Sequence, residues 1–288
     1  MSTKTISSPF DEKAAGREHQ ATGLPVTSSL RWAYWLSFIF GLLTAVTALA
    51  GLLFSESLYP TSELRQAFLA NDVATVFIGL PILLVSMWLA HQGKMIGLLF
   101  WPGALFYGLY NGIVYLFGLP LSVIYLLYLF LVIFSGYTLI GLVAIIDHEN
   151  VKKRLAGRFP EKLCGAILIG LSIFMMLYNL GILITAILNQ TVLARPDIGL
   201  IVADSIIAAA WLVGGVMLWR HLPLGYVGGT GLLFQGSMLF VGLLLLFILQ
   251  PLLNATPFPA GDFTVVFIMG LICFIPFALN LRGVIKAS

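Results

Sequence analysis

The sequence predicts an all-α, polytopic transmembrane helical bundle of eight spans, and three observations support this fold class. Hydrophobic residues make up 60% of the 288-residue chain and charged residues only 9%, whereas a soluble domain is about 25% charged. The apolar residues fall into eight runs, each long enough to cross a hydrocarbon core of about 30 Å. Most basic residues lie before the first run, after the last run or in every second connection between runs. This places them on one side of the membrane, as the positive-inside rule requires. This composition excludes both a water-soluble globule and a disordered chain.

The eight runs are continuously apolar, which distinguishes them from the alternating strands of a membrane β-barrel. A segment in lipid must satisfy its own backbone hydrogen bonds, so each run is predicted to be a helix. The third and fourth runs are separated only by a short Gly-Leu-Pro segment at residues 118–120, which predicts a tight hairpin. The predicted spans are approximately 32–54, 72–90, 95–117, 121–146, 164–188, 198–219, 226–250 and 264–281.

The distribution of charge predicts the domain organisation and the orientation. With the N-terminus inside, all of the 15 Lys and Arg residues except Arg65 and Arg195 face the cytoplasm. This asymmetry predicts a multi-pass protein of the cell membrane with both termini in the cytoplasm. The predicted parts are a disordered cytoplasmic tail (1–30), a first four-helix unit (31–149), a basic cytoplasmic loop (150–163) and a second four-helix unit (164–288).

A weak internal similarity favours a parallel 4+4 repeat. Residues 98–108 align with residues 232–242 through shared Leu, Phe and Gly. Such matches also arise by chance in an apolar chain, but rarer residues precede both segments in the same order. These residues are Asp72, Trp88 and His91 in the first half and Asp204, Trp219 and His221 in the second. Because each unit has an even number of spans, the two units would share one orientation.

Polar side chains within the spans are the candidate functional residues, since burying them in a membrane is costly. One interpretation is a polar cavity open to the outside, with residues 63–71 continuing the helix so that Asp72 lies below the surface. The other is that Asp72 is an exposed carboxylate at a helix N-terminus, while the Asn side chains join neighbouring helices. The candidates are Asp72, Tyr107, Asn111, Tyr115, Asn179, Asp204 and Gln235.

The predicted cytoplasmic rim combines histidines and carboxylates with a basic cluster. Asp147, His148 and Glu149 are consecutive and point in different helical directions, so neither a metal nor a cofactor is expected. The net charge of +3 is too small to indicate a nucleic-acid partner. The basic cluster is predicted to contact anionic lipid; its residues are Lys152, Lys153, Arg154 and Arg158.

Residues 71–90, Gly97, residues 103–108 and residues 269–278 resemble a group of uncharacterised prokaryotic multi-pass membrane proteins. That resemblance implies a membrane fold and no particular activity. The intramembrane polar groups favour a transporter or channel-like protein for a small solute or ion, with no catalytic residue assigned. A membrane-embedded enzyme acting on lipid-like substrates and a non-catalytic scaffold remain alternatives. The oligomeric state is left open.

Overall fold

A computed structural model describes residues 23–254 and 257–287 of the chain. Within these residues the secondary structure is helical, and β-pairing is limited to one isolated bridge between Val26 and Ile146. Residues 1–22 of the predicted tail lie outside the described residues. The segment that follows them packs on the bundle, with the side chains of Leu24 and Val26 buried.

Eleven α-helices follow one another in the described chain, and most are long enough to cross a bilayer. The π-helical turn Thr75–Gly79 joins the third helix to the fourth, which makes one continuous helix of them. The helices are α1 (Arg31–Leu53), α2 (Ser55–Leu58), α3 (Ser62–Ala74), α4 (Leu80–His91), α5 (Met95–Gly118), α6 (Val123–Ile145), α7 (His148–Leu155), α8 (Glu161–Leu188), α9 (Arg195–Trp219), α10 (Pro223–Asn254) and α11 (Ala260–Ala287).

Seven helices of the described chain are long and apolar enough to span a membrane: α1, α3–α4, α6, α8, α9, α10 and α11. The protein is therefore built as a multi-pass integral membrane protein. The remaining long helix, α5, carries Pro, Trp, Asn and three Tyr residues among its apolar ones and is not one of these seven. Its side chains are mostly buried among the other helices instead of facing outward.

The second span begins earlier than residue 72, the start that the apolar run predicts. Helix α3 starts at Ser62, where the Thr61 hydroxyl accepts a hydrogen bond from the Leu64 amide and caps the helix. The predicted helical continuation before Asp72 is thus confirmed. The alternative of an exposed N-terminal carboxylate is wrong, because Asp72 lies inside a continuous helix and is only 1% exposed.

Each half of the chain forms a ring of four long helices. In the first half α1 packs against both α3–α4 and α6, and α5 closes the ring. In the second half α8 packs against both α9 and α11, and α10 closes the ring. The halves meet where α5 contacts α9 and α10, and where α10 contacts α3. At that junction the rings of Phe100 and Phe234 stack with their centroids 4.3 Å apart.

The predicted basic loop (150–163) overlaps the short helix α7, which begins at His148, and is tied to both ends of the described chain. Asp147 caps α7 by accepting a hydrogen bond from the Asn150 amide. The Arg154 guanidinium donates to the Gly23 carbonyl at 3.3 Å, and the Arg158 guanidinium donates to a carbonyl near the end of α11. The contact of this basic segment with anionic lipid stays a prediction.

Candidate functional site

A large cavity of about 900 Å³ lies between the two halves. We call it the outer cavity. Its walls come from α3, α5, α8, α9, α10 and α11. Glu63, Asp197 and Asp262 line it near the N-terminal ends of α3, α9 and α11, while Trp211 lines it deep within α9. The cavity therefore runs from one end of the bundle into its interior.

The charged residues lining the outer cavity are all acidic. They are Glu63, Asp197, Asp204 and Asp262, and no Lys, Arg or His is found among the described lining residues. Asp204 follows the start of α9 by nine residues, or about 14 Å at about 1.5 Å per residue. Its carboxylate accepts a hydrogen bond of 3.0 Å from the Tyr110 hydroxyl of α5. A half-buried carboxylate thus faces a cavity rich in aromatic rings.

A second, much smaller cavity of about 40 Å³ surrounds part of Asp72. We call it the inner chamber, and its walls come from α1, α3–α4, α5 and α6. The Tyr59 hydroxyl donates a hydrogen bond of 2.7 Å to Asp72 Oδ2, and the Tyr115 hydroxyl donates one of 2.7 Å to Oδ1. Burial raises the pKa of Tyr59 well above its ordinary value, so this hydroxyl keeps the proton that it donates.

Two backbone features create the inner chamber. Gly51 of α1 lies against the Asp72 carboxylate and the Tyr59 hydroxyl, and a Cβ at this position would overlap both groups. The π-helical turn that begins three residues after Asp72 contributes Thr75 and Gly79 to the chamber wall. Single π-helical turns inside α-helices occur frequently at functional sites. The close approach of α1 and the altered helical turn together define the space beside the carboxylate.

Helix α5 lies between the two cavities, and two of its residues line both of them. Tyr107 and Asn111 line both cavities. The Asn71 side chain donates to Asn111 Oδ1 at 3.2 Å and to the Tyr115 hydroxyl at 3.1 Å. Tyr110 and Tyr115, which hold the two carboxylates, are separated by roughly 140° around the α5 axis. Asp204 and Asp72 are thus held on different sides of one helix.

Five of the seven residues predicted from the sequence line these two cavities: Asp72, Tyr107, Asn111, Tyr115 and Asp204. The other two are buried elsewhere. The Asn179 side chain donates to the Ile201 carbonyl at 3.4 Å and so joins α8 to α9. Gln235 Oε1 accepts a hydrogen bond of 2.9 Å from the Trp211 indole. Whether any of the seven binds a solute stays a prediction.

Four tyrosines at the cavities are absent from the sequence-based candidates: Tyr59, Tyr110, Tyr128 and Tyr178. Tyr110 lies three residues after Tyr107, and this helical spacing was a usable signal. Tyr128 lies in a strongly apolar run, where a tyrosine is usually an ordinary core residue. Tyr59 precedes α3 in a short connection, and no local pattern indicates that it reaches a carboxylate thirteen residues later.

Comparisons of the chain with protein-family models, with curated proteins and with solved structures gave no match. This outcome agrees with the resemblance to membrane proteins that have no established activity. The functional conclusion below therefore depends on the geometry of the two cavities.

Proposed function

We propose that the protein is a membrane transporter for a small organic cation that enters through the outer cavity. The observation that carries this proposal is the entirely acidic charge of the described cavity lining. Its volume of about 900 Å³ falls in the range of small-molecule sites. Aromatic faces attract cations, most strongly where water is excluded, and the accessible rings of Phe174 and Tyr178 supply such faces in the cavity wall.

The proposed topology has eight spans, with α5 as the eighth, and both termini in the cytoplasm of a cell. Helix α5 has 24 residues and a length of about 36 Å, which is enough to cross the hydrocarbon core. Its Tyr and Asn side chains are compatible with this position, because protein and not lipid surrounds most of its surface. The basic residues then lie inside and the outer cavity opens to the outside.

The proposed transport unit consists of two similar four-helix units, covering residues 31–149 and 164–288. The α4–α5 and α9–α10 connections support this arrangement, since both turn through a residue with positive φ, Gly93 and His221. Each connection leads into a helix, α5 or α10, that carries a glycine two residues after its start. This glycine, Gly97 or Gly225, packs on the backbone of the preceding helix. These glycines fall in a different register from the aligned segments 98–108 and 232–242. Helix α10 has 32 residues against 24 in α5, so the residues that shift this register fit within the longer helix.

The two units provide a mechanism for alternating access. In transporters built from repeats, one unit rocks against the other around a binding site at their interface. Here the outer cavity occupies that interface, and the crossing of α5 with α10 forms its base. Rocking about this crossing would close the outer cavity and expose its deep end to the cytoplasm.

The test uses two ions of nearly equal shape and opposite charge. Purified protein in detergent is equilibrated with radiolabelled tetraphenylphosphonium or tetraphenylborate, and saturable binding is measured above a detergent blank. We expect binding of the cation only. Replacing the half-buried carboxylate, Asp204→Asn, is expected to weaken cation binding about tenfold, equivalent to about 1.4 kcal/mol.

A matched acidic residue outside the cavity provides the control. Glu149→Gln on the exposed side of α7 is expected to bind the cation as the wild type does. Equal binding of the anion, or full binding by Asp204→Asn, would contradict the proposed site. Uptake of tetraphenylphosphonium into proteoliposomes tests transport itself, and uptake no faster than in empty vesicles would contradict the transport function.

A further inference from the structure

We propose that the inner chamber is a binding site for one monovalent metal cation of the size of Na⁺, with Asp72 as its anionic ligand. The chamber is distinct from the outer cavity, which is more than twenty times larger. Four features support the proposal: the orientation of the surrounding hydroxyl groups, an unpartnered tyrosine, the charge balance and the size of the space.

The hydroxyl groups of α1 present oxygen lone pairs to the chamber. Thr44 donates its hydroxyl proton to the Phe40 carbonyl at 2.8 Å, and Thr47 donates to the Leu43 carbonyl at 3.0 Å. Both threonines line the chamber. Because each hydroxyl proton is used within the helix, these oxygens can only accept hydrogen bonds or coordinate a cation.

Tyr128 of α6 supplies an unpartnered oxygen. Its side chain is only 3% exposed and lines the chamber. Its hydroxyl lies beside that of Tyr59, whose proton is donated to Asp72, and it makes no hydrogen bond of acceptable geometry with any described residue. A buried polar group without a partner is costly and calls for an explanation. A cation bound between Tyr128 and Asp72 would coordinate this oxygen and remove that cost.

The charge of the chamber matches one positive charge. Asp72 is the only ionisable carboxylate or basic residue among the described lining residues. Both of its oxygens accept hydrogen bonds from tyrosine hydroxyls, an arrangement that favours the ionised form. An isolated carboxylate in this apolar setting is strongly unfavourable without a counter-charge. A monovalent cation neutralises it, whereas a divalent cation would leave a net charge.

The size of the chamber limits the ligand to a single small ion. One water molecule needs a volume of about 10–15 Å³ by the same measure, so a chamber of about 40 Å³ holds a dehydrated ion with one or two waters. An organic cation needs several hundred Å³. Hard cations take oxygen ligands, and the carboxylate and hydroxyl groups above provide them. The site does not depend on the transport function proposed for the outer cavity.

The experiment measures ²²Na⁺ binding and thermal unfolding of the purified protein in detergent. Ionic strength is held constant with choline chloride. We expect saturable binding of one Na⁺ per chain, and a rise in Tm of about 5 °C when NaCl at a hundred times the Kd replaces choline chloride. Tetraphenylphosphonium is left out, so the outcome is independent of solute binding in the outer cavity.

Two substitutions locate the ion, and each has a matched control. Asp72→Asn removes the charge and is expected to abolish ²²Na⁺ binding and the Tm shift, while Glu56→Gln in the exposed helix α2 keeps both. Tyr128→Phe removes one ligand and is expected to weaken Na⁺ binding about tenfold, while Tyr125→Phe on the same helix has no effect. Tyr128→Phe leaves the carboxylate and its hydrogen bonds in place, so it tests the site if Asp72→Asn fails to fold.

The proposal is overturned if wild-type protein shows neither Na⁺ binding nor a Na⁺-dependent Tm. It is equally overturned if Asp72→Asn or Tyr128→Phe binds Na⁺ as the wild type does, since the ion would then lie elsewhere. A stabilisation that follows pH alone, with no difference between Na⁺ and choline, would identify a proton and exclude a metal ion as the ligand.

Discussion

Asp72 and Asp204 are two carboxylates at nearly equal distances from the starts of their helices, yet their surroundings differ. Asp72 is almost completely buried and accepts two tyrosine hydrogen bonds beside a space of about 40 Å³. Asp204 accepts one tyrosine hydrogen bond and faces a cavity of about 900 Å³. The position of an acidic residue along a span therefore does not determine its role. The helices that pack against it do.

The difference arises from what lies opposite each carboxylate. Opposite Asp72, Gly51 allows α1 to approach until its backbone meets the carboxylate. Opposite Asp204, the wall of the outer cavity takes the place of a closely packed helix. One environment is suited to hold a small ion tightly. The other is suited to admit a larger solute and release it.

The largest expected contrast concerns access from water. Cysteine introduced at Gln66 in the outer cavity should react with a water-soluble, charged methanethiosulfonate reagent about 100 times faster than cysteine introduced at Thr47 in the inner chamber. Thr47 is 2% exposed, so its reaction requires local opening of the bundle. The rates are measured by mass spectrometry on protein in detergent.

The wild-type protein provides the blank for this labelling, because Cys164 and Cys273 are both buried. Equal rates at the two introduced positions would remove the distinction between an open cavity and a buried chamber.

The next effect concerns the close contact of α1 with the inner chamber. Gly51→Ala should lower the free energy of unfolding by about 3 kcal/mol, because the added Cβ displaces the carboxylate from its tyrosine partners. Titration with SDS, followed by circular dichroism, measures this loss. Gly181→Ala in α8 is the matched control: nothing lies within 4 Å of a Cβ there, so a change within about 1 kcal/mol is expected. Equal stabilities of the two variants would contradict the chamber geometry.

Removal of single hydroxyl groups should distinguish the surroundings of the two carboxylates by a smaller difference in the free energy of unfolding. Tyr115→Phe leaves Asp72 with one hydrogen bond in a buried site and should cost about 2 kcal/mol of unfolding free energy. Tyr110→Phe should cost about 1 kcal/mol, because water in the outer cavity can replace the lost donor to Asp204. The same SDS titration compares them. A larger loss for Tyr110→Phe would reverse the assignment of the two environments.

The smallest effect concerns how the two carboxylate-bearing helices begin. Thr61→Ala removes the side-chain cap of α3 and should lower stability by about 1 kcal/mol. Helix α9 starts after Ala194, which has extended backbone geometry and no side-chain cap. Ala194→Ser should therefore raise stability by about 0.5 kcal/mol. Both values come from thermal unfolding, and changes of the same sign would show that capping does not limit either helix.

Much of the fold follows from hydropathy because lipid imposes a simple rule on exposed helices. The seven apolar spans are of this kind. Helix α5 is an exception to this rule, because most of its surface is not exposed to lipid. The apolar run at 95–117 predicts it as a span, yet it is not one of the seven apolar spans of the described chain. Its neighbours bury most of its surface, so its composition reflects contacts with protein.

The candidate site was only partly predictable, because a polar side chain within a span can either line a cavity or form a hydrogen bond to a neighbouring helix. Asn179 was expected in the cavity, yet it bonds to a carbonyl of the neighbouring α9. Tyr59 gave no signal, yet it donates to Asp72. Both outcomes are decided by which helices become neighbours, and the period of a single helix contains no information about its partners. The sequence therefore indicates polar residues but not their pairing.

The buried position of α5 has a consequence for the biogenesis of the protein. During synthesis α5 leaves the ribosome before α9 and α10, which form much of its environment in the finished protein. Until they arrive, the side of α5 that faces the second half has no helix to pack against. A chain that stops after α6 would leave the Tyr110 hydroxyl without Asp204, the α9 carboxylate to which it donates a hydrogen bond. Completion of the second half is then what completes the hydrogen bonding of α5.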